Sequence, residues 1–459
     1  MLKVTFLNLT EQEIACSWES KSRTVSYKQE LLSPPSLSTS INISKRCCRH
    51  LSFSSANKEA VEDVKTVGLV TEISLSLSAS WQAIKLPEDS PWRMYSVKVE
   101  KKHYRIAIFP RRNLAGFLCN VHDDVPLSSV LLPGTHDTMA FYGWPISQCQ
   151  TLDTPLKVQL ESGIRVIDIR LSLVKGTLIA YHGVYPQKTP FSAILATLYA
   201  FLFNPVSSRE TVVMSIKQED YSNTSQQDFS RAVHDEIANS PGGLELFYLE
   251  NSIPSLGEVR GKVVLFSRFN GWDSWDDGKL GIHPTTWPDS ERNGFTWECE
   301  GTHVRTHDWY AIPSFLFIPE KVKLATETLL PPLNPKPTLS ISFFSASSFP
   351  FASPPTIAQG FGWPKLGLGV EGVNSRVGKW LLDMLSKSAA ENATLHERDL
   401  SSSSSTALND NEKTISAQAE EPRLRGWALM DYYNNPEHAL VPLLVECNFR
   451  GRRAGEEGW

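Results

Sequence analysis

The stretch Val130–His182 constrains this chain more than any other. It holds three apolar runs that each end in a polar cluster. Val-Leu-Leu-Pro-Gly-Thr leads into His136-Asp137, Ile-Arg-Val-Ile-Asp-Ile-Arg carries Asp168 and ends in Arg170, and Leu-Ile-Ala-Tyr leads into His182-Gly183. Apolar runs of this length, bounded by turn residues, suit strands buried on both faces. A parallel α/β barrel buries its strands in this way and collects polar residues at their carboxyl ends. Two histidines, a carboxylate and an arginine then meet at one rim. Such a set can remove a proton, return one, and hold an anion between the two steps.

The segments that follow repeat the strand-then-helix alternation of a barrel. Phe191, Ile194, Leu195, Leu198, Phe201 and Leu202 form one helical stripe, with Thr189 as N-cap and Pro190 at the first helical position. Thr211–Lys217 is a strand running into Lys217-Gln-Glu219, a site lysine or one half of a buried ion pair. Gln227–Asn239 reads as a helix and Lys262–Arg268 as a strand ending in a charge. Gly271–Asp308 is aromatic and irregular and reads as a long rim loop. Its Trp272, Trp275 and Trp287 are candidates for loop packing or for contact with a membrane interface. Farther on, Glu320–Leu329 and Val373–Ser386 read as helices, Leu339–Phe344 and Gly426–Tyr433 as strands, and Ala439–Cys447 as the closing helix. Residues 345–364, rich in Ser, Pro and Gly, read as a loop, and residues 388–422 as a disordered insert.

Residues 1–115 have a different texture. Leu2, Val4 and Phe6 alternate with polar residues, as do Ile73, Leu75 and Leu77, and Val97 and Val99, while Ser33–Lys58 reads as a loose loop. The predicted organisation is a small all-β, sandwich-like domain over 1–115, for packing or interaction, ahead of an irregular TIM-like (β/α) barrel over 116–459.

The composition is that of an ordinary globular chain: 459 residues, 41% hydrophobic, 21% charged, net charge −5. A chain-wide basic footprint for nucleic acid is absent. No apolar run approaches the roughly 20 residues of a membrane span. The alternating N-terminus lacks the apolar core of a signal peptide, which points to a cytoplasmic protein, peripheral at membranes. The Asn-x-Ser/Thr matches at Asn8, Asn42, Asn223 and Asn392 are then read as chance. Seven cysteines without a Cys-x-x-Cys pair suggest neither a disulfide framework nor a zinc site.

The rim set matches a definite chemistry. When a neighbouring hydroxyl attacks a phosphodiester, it loses a proton, the leaving oxygen gains one, and the pentacoordinate phosphorus carries extra negative charge. Two histidines, one neutral and one protonated, supply the first two needs near neutral pH. Arginine supplies the third with a planar fork matched to phosphate oxygens. Asp137 and Asp431 stand at strand ends where they can fix a histidine tautomer, and Asp168 is either part of the site or a structural partner. A His-Asp pair alone says little, since His122, His234 and His307 also precede Asp; His136 stands out because it follows a buried strand and Pro-Gly-Thr.

Leu-Pro-Gly-Thr-His-Asp-Thr-Met, Gln-Leu-Glu-Ser-Gly-Ile-Arg-Val-Ile-Asp-Ile-Arg and His-Gly, in this order, resemble the X region of phosphatidylinositol-specific phospholipase C in its bacterial, single-barrel form. The resemblance runs from about Asp123 to the C-terminus, excluding the two inserts and the N-terminal domain. It implies a phosphodiesterase acting on a phosphoinositide-like lipid at a membrane surface, with diacylglycerol and a cyclic inositol phosphate as products. His136 matches the general base, His182 the general acid and Arg170 the phosphate-binding arginine. Asp137 matches the partner of the acid histidine and Asp431 the carboxylate orienting the base. Lys217, Arg268, Asp308 and Tyr310 match positions that hold the inositol ring, and the segments around Asp308 diverge from the family's pattern. In the calcium-dependent eukaryotic relatives, Asn follows the first histidine and a carboxylate takes the place of Arg170. Asp137 and Arg170 therefore imply no metal and no cofactor. The alternatives are a magnesium-dependent glycerophosphodiester or sphingomyelin phosphodiesterase, and a barrel that binds lipid or protein without turnover.

Overall fold

The computed structural model describes residues 2–21, 25–33, 36–37, 41–43, 51–55, 69–71, 80–271, 275, 280–332, 336–348, 352–363, 368–386 and 423–451. The insert expected at 388–422 and Trp272 lie outside the described residues. The chain divides into two compact units, one of Met1–Arg111 with Lys365–Gly367 and Lys379–Glu421, the other of Arg112–Pro364 with Leu368–Gly378 and Pro422–Trp459.

In the first unit two sheets face each other across one core. One sheet pairs Leu2–Asn8 in parallel with His103–Pro110, which continues antiparallel to Trp92–Glu100 and then Trp81–Ile84. The other is the antiparallel set Val25–Leu32, Ile14–Lys21, Leu51–Ser55 and Leu69–Thr71. Val4 and Phe6 from one sheet and Ile14, Cys16 and Phe53 from the other share a buried cluster, the inward alternation of a sandwich. Leu51–Ser55 is a strand, within the stretch expected as a loose loop; its Leu51 and Phe53 alternate inward, a signal too short to stand out from the serines around it.

The second unit is an irregular barrel with parallel strands. Val263–Arg268, Val212–Gln218, Val166–Val174, Leu131–Thr135, Gly426–Met430, Thr338–Phe343 and Thr302–His307 lie side by side in that order, each parallel to the next. The hydrogen-bonded path ends at Phe247–Tyr248 on one side and Phe295–Cys299 on the other. Phe266 packs on Trp297 and Trp427 across the interior. Gly134 shows how closely the strands approach: a Cβ there would fall 2.8 Å from that of Val166, its register partner.

The helix Phe191–Leu202 buries all six residues of the predicted stripe. Its N-cap is Pro190 without a side-chain bond, not Thr189, because Tyr185–Pro190 is a strand that runs directly into the helix. Two predicted loops contain regular structure. The region 271–308 ends in the hairpin Phe295–Cys299 and Thr302–His307, and 345–364 contains the helix Pro354–Gln359, followed by the hairpin Gly360–Trp363 with Leu368–Glu371. Aromatic and glycine residues dominated these stretches and hid the short alternations. Residues 373–386 are helical, and Leu440–Glu446 is the last α-helix among the described residues, followed by a single turn at Cys447–Phe449. Among the described residues no helix is long and apolar enough to cross a membrane.

At the amino end of the second barrel strand, Arg165 is fully buried with Glu210, Nε to Oε2 at 2.8 Å, and donates to the carbonyls of Leu160, Ile164, Leu114 and Ala115. Burial draws the arginine pKa down and pushes that of Glu210 up, so desolvation exceeds the mutual attraction of the pair. Removing one partner leaves an uncompensated charge. Glu210→Ala is expected to lower the stability of the barrel by about 3–5 kcal/mol, read as a reduced urea midpoint, whereas an unchanged midpoint would contradict this account.

Candidate active site

The strand ends deliver side chains to one cavity of about 400 Å³, lined among others by His136, Arg170, His182, Lys217, Glu219, Arg268, Asp308, Tyr310 and Asp431. Every candidate residue named from the sequence lines it except Asp137, which lies behind the histidines and is 2% exposed, and Asp168, which is fully buried. The register explains part of this convergence. Arg170 pairs with Lys217 and Lys217 with Arg268, so three adjacent parallel strands place three cations in one row.

His136 follows directly on Leu131–Thr135, and Asp431 follows Gly426–Met430, its hydrogen-bonded neighbour. His136 Nδ1 lies 2.8 Å from Asp431 Oδ1, and its Nε2 lies 2.7 Å from Arg170 Nη2. Arginine only donates, so Nε2 is the acceptor and Nδ1 carries the hydrogen donated to Asp431. Burial draws the His136 pKa down, but Asp431 and Asp137 outweigh burial and Arg170 and leave it above the usual histidine value. His136 thus presents a basic lone pair on Nε2.

His182 ends Thr177–His182, which turns back antiparallel on the second barrel strand. Its Nδ1 donates to the Ser147 carbonyl at 2.7 Å, which leaves Nε2 facing the cavity. The two imidazole centroids are 6.4 Å apart. Asp137 Oδ2 sits between them, 3.3 Å from His136 Nε2 and 3.4 Å from His182 Nε2, with no hydrogen bond of its own. The sequence tied Asp137 to the acid histidine alone; the structure sets it against both. Asp137 has a φ of 41°, a left-handed conformation that Asp tolerates better than most residues and that turns its carboxylate back under the histidines.

Arg170 is held by carboxylates on several sides. Its Nε is 3.0 Å from Asp137 and 3.3 Å from Asp168, and its Nη1 is 3.5 Å from Glu219. Burial opposes the charge, yet these carboxylates raise its pKa well above the ordinary value. Asp168 is fully buried; burial favours its neutral acid, but Arg170 and Arg268 hold the carboxyl far below its usual range. It also accepts from Ser215 Oγ at 3.1 Å and from the Asp137 amide, so it positions the arginines rather than facing the cavity.

Lys217 lies 3.3 Å from Glu219 Oε1, and burial and then the like charge of Arg170 lower its pKa. It both lines the cavity and forms the ion pair that the sequence offered as its alternative. Arg268 stacks 4.0 Å over the Trp287 ring, with Asp308 4.0 Å from its Nη2. Trp287 donates to Asp308 at 3.0 Å; it is thus a wall of the cavity, and Trp275 is buried, so neither is a free interfacial ring. Tyr310 donates to Asp289, which pushes its pKa up to about 12.

Sequence reasoning missed Glu219 as a cavity residue, the Ser147 carbonyl, Trp287 as a partner of Arg268 and Asp308, and Asp289 as a partner of Tyr310. Glu219 was visible beside Lys217; the others sit in loops whose contacts no local pattern announces. His136, Asp137 and Cys149 offer ligand atoms within 4.8 Å of one another. A cation bound to His136 and Asp137 would lie against the Arg170 guanidinium that already touches both, so this donor set does not fit a resident metal.

Part of the chain has known counterparts. Residues 124–269 match the family model for the phosphatidylinositol-specific phospholipase C X domain. Over 157 residues the chain is 38% identical to 1-phosphatidylinositol phosphodiesterase of Listeria monocytogenes, covering 32% of this chain and 46% of that protein. Over 162 residues it is 30% identical to the enzyme of the same name from Staphylococcus aureus strain Newman, covering 34% of this chain and 51% of that protein. The chain thus spans about half the length of these relatives. A solved structure of the S. aureus phosphatidylinositol-specific phospholipase C superposes with a TM-score of 0.52 at 20% identity, covering 73% of this chain and 98% of that one. The fold is therefore the TIM-like barrel of the bacterial phospholipases. Over residues 124–269 the chain resembles the phosphatidylinositol-specific phospholipase C X-domain family.

Because Asp431 raises the His136 pKa, Asp431→Asn is expected to lower it. Histidine-detected NMR should show the His136 ring titrating at lower pH than in the unaltered protein, while a shift to higher pH would contradict the assigned pair.

Proposed function

We propose that this protein is a phosphodiesterase of the phosphatidylinositol phospholipase C type, working by acid–base catalysis without a metal. Nε2 of His136 takes the proton of the inositol 2-hydroxyl, and that oxygen attacks phosphorus. Arg170 holds the nonbridging oxygens as charge builds on them. His182 gives its Nε2 proton to the diacylglycerol oxygen as the phosphorus–oxygen bond breaks. The products are diacylglycerol and a cyclic inositol phosphate. Asp431 fixes the tautomer of the base, Asp137 stabilises the imidazolium of His182, and Lys217, Arg268, Asp308 and Tyr310 bind the ring hydroxyls.

One observation carries this reading: both histidine Nε2 atoms and the Arg170 guanidinium meet around Asp137 at the floor of one cavity. The relatives named 1-phosphatidylinositol phosphodiesterase support the substrate class. A lipid surface as the site of action draws support from the cavity mouth. Trp144, Ile146 and Val184, on two rim loops, are 72%, 45% and 84% exposed, an arrangement suited to the apolar side of an interface. The proposed setting is the cytoplasmic side of a membrane, with the protein bound peripherally.

Phosphorus NMR of phosphatidylinositol vesicles incubated with the protein in excess chelator should show a cyclic phosphate. Loss of turnover in chelator would favour a magnesium-dependent glycerophosphodiester or sphingomyelin phosphodiesterase. No turnover of any of these diesters would leave a barrel that binds without reaction. His136→Ala and His182→Ala should each cost about 10²–10⁴-fold in kcat, the range for a positioned acid or base. Arg170→Lys should also lower kcat strongly, because an ammonium lacks the planar fork.

A further inference from the structure

The helix Ile318–Thr328 packs beside the last barrel strands and carries one charged residue with no exposure at all, Lys321. Its ammonium donates to the backbone carbonyl of Trp309 at 2.8 Å. No carboxylate lies within ion-pair distance of it among the described residues. Burying an ammonium against a single neutral carbonyl, with no paired carboxylate to offset the desolvation, is unfavourable, and the fold nonetheless holds it there. Burial draws its pKa down to about 7, against the attraction of Asp308 and Asp431. Both of those carboxylates line the cavity.

Trp309 stands between Asp308 and Tyr310, the two residues of this segment whose side chains line the cavity. The segment leaves Thr302–His307 at its carboxyl end and has no ladder partner at Trp309. Its neighbours are tied from the rim side. The Tyr310 carbonyl accepts from the Ser347 amide at 2.8 Å, and the Ala311 amide donates to Ser290 Oγ at 2.8 Å. Lys321 ties the intervening peptide from the core side.

We propose that Lys321 is a positioning residue that grips the Trp309 carbonyl from inside the barrel wall and thereby sets Asp308 and Tyr310 against the substrate head group. This rests on reading the cavity as an inositol site. Lys321 touches neither substrate nor the histidines; it acts through the peptide between two ring-facing residues. Its loss therefore weakens ring binding and leaves proton transfer by His136 and His182 intact.

The test is Lys321→Met in the full chain, with phosphatidylinositol in mixed micelles as substrate and free myo-inositol as a binding probe followed by tryptophan fluorescence. The expected result is a KM raised about tenfold with kcat within about twofold, the pattern of lost uniform binding, and a parallel loss of myo-inositol affinity. Asp308→Asn should also raise KM. The double variant should be no worse than the poorer single one, because both act through one wall. A folded Lys321→Met protein with unaltered KM and myo-inositol affinity would overturn the assignment, as would effects that multiply in the double variant. Lys321→Gln, which keeps a donor without the charge, serves if the methionine variant does not fold. Failure of both to fold would make Lys321 a core residue and overturn the positioning role. Absence of turnover by the unaltered protein counts against the functional reading, and its myo-inositol binding then still reports on the wall.

Discussion

Arg170 is the residue on which the cavity is built. A guanidinium taken out of water is tolerated only when its donors meet acceptors, and here Asp137, Asp168 and Glu219 surround it. Each carboxylate comes from a different place: the turn after the first barrel strand, the second strand itself, and the segment after the third. Holding Arg170 therefore ties three barrel segments together at their carboxyl ends. It also fixes His136, because a donor 2.7 Å from Nε2 leaves that nitrogen only the role of acceptor. The left-handed backbone at Asp137 is sustained by the same contacts, since its carboxylate meets Arg170 and its amide meets Asp168.

Parallel pairing turns this local network into a surface. Side chains in register on adjacent parallel strands stand side by side, so Arg170, Lys217 and Arg268 form a row without any loop having to arrange them. The loops contribute what strands cannot: His182 on a hairpin returning over the second strand, Trp287 beneath Arg268, and Asp308 beyond the edge of the Thr302–His307 strand. The row gives charge, and the loops give shape to the space above it.

This division explains what the sequence could reveal. Buried parallel strands are continuous apolar runs, and a charge at the end of such a run stands out; His136, Arg170, Lys217, Arg268 and Asp431 were legible for that reason. The helix Phe191–Leu202 was legible because its six buried residues repeat at helical spacing. Contacts between distant segments leave no such mark. Nothing near Ser147 announces that its carbonyl fixes the His182 tautomer, and nothing near Asp137 announces that it faces both histidines. The regions 271–308 and 345–364 resisted reading because glycine, proline and aromatic residues masked short hairpins that form only against neighbouring segments. Lys321 was hidden more thoroughly: on a helix that also carries Glu320, Lys323 and Glu327, a fourth charge looks like surface.

The charge pattern also bears on why the proposed reaction needs no divalent ion. A phosphodiester gains negative charge as the attacking oxygen closes on phosphorus, and a metal would answer it with a compact double charge. Here the answer is a row of three cations already neutralised in part by Asp168 and Glu219. Those carboxylates weaken the pull of the row, but they fix its geometry before substrate arrives. Little rearrangement is then required when charge develops, and charge preorganised among buried carboxylates acts more strongly than the same charge in bulk solvent. A cation bound to both His136 and Asp137 would have to displace Arg170 from each, and so break the contact that makes Nε2 of His136 an acceptor. The guanidinium and a metal are thus alternative solutions to one electrostatic problem, and the burial of Asp137 and Asp168 beneath Arg170 favours the first in the proposed reaction.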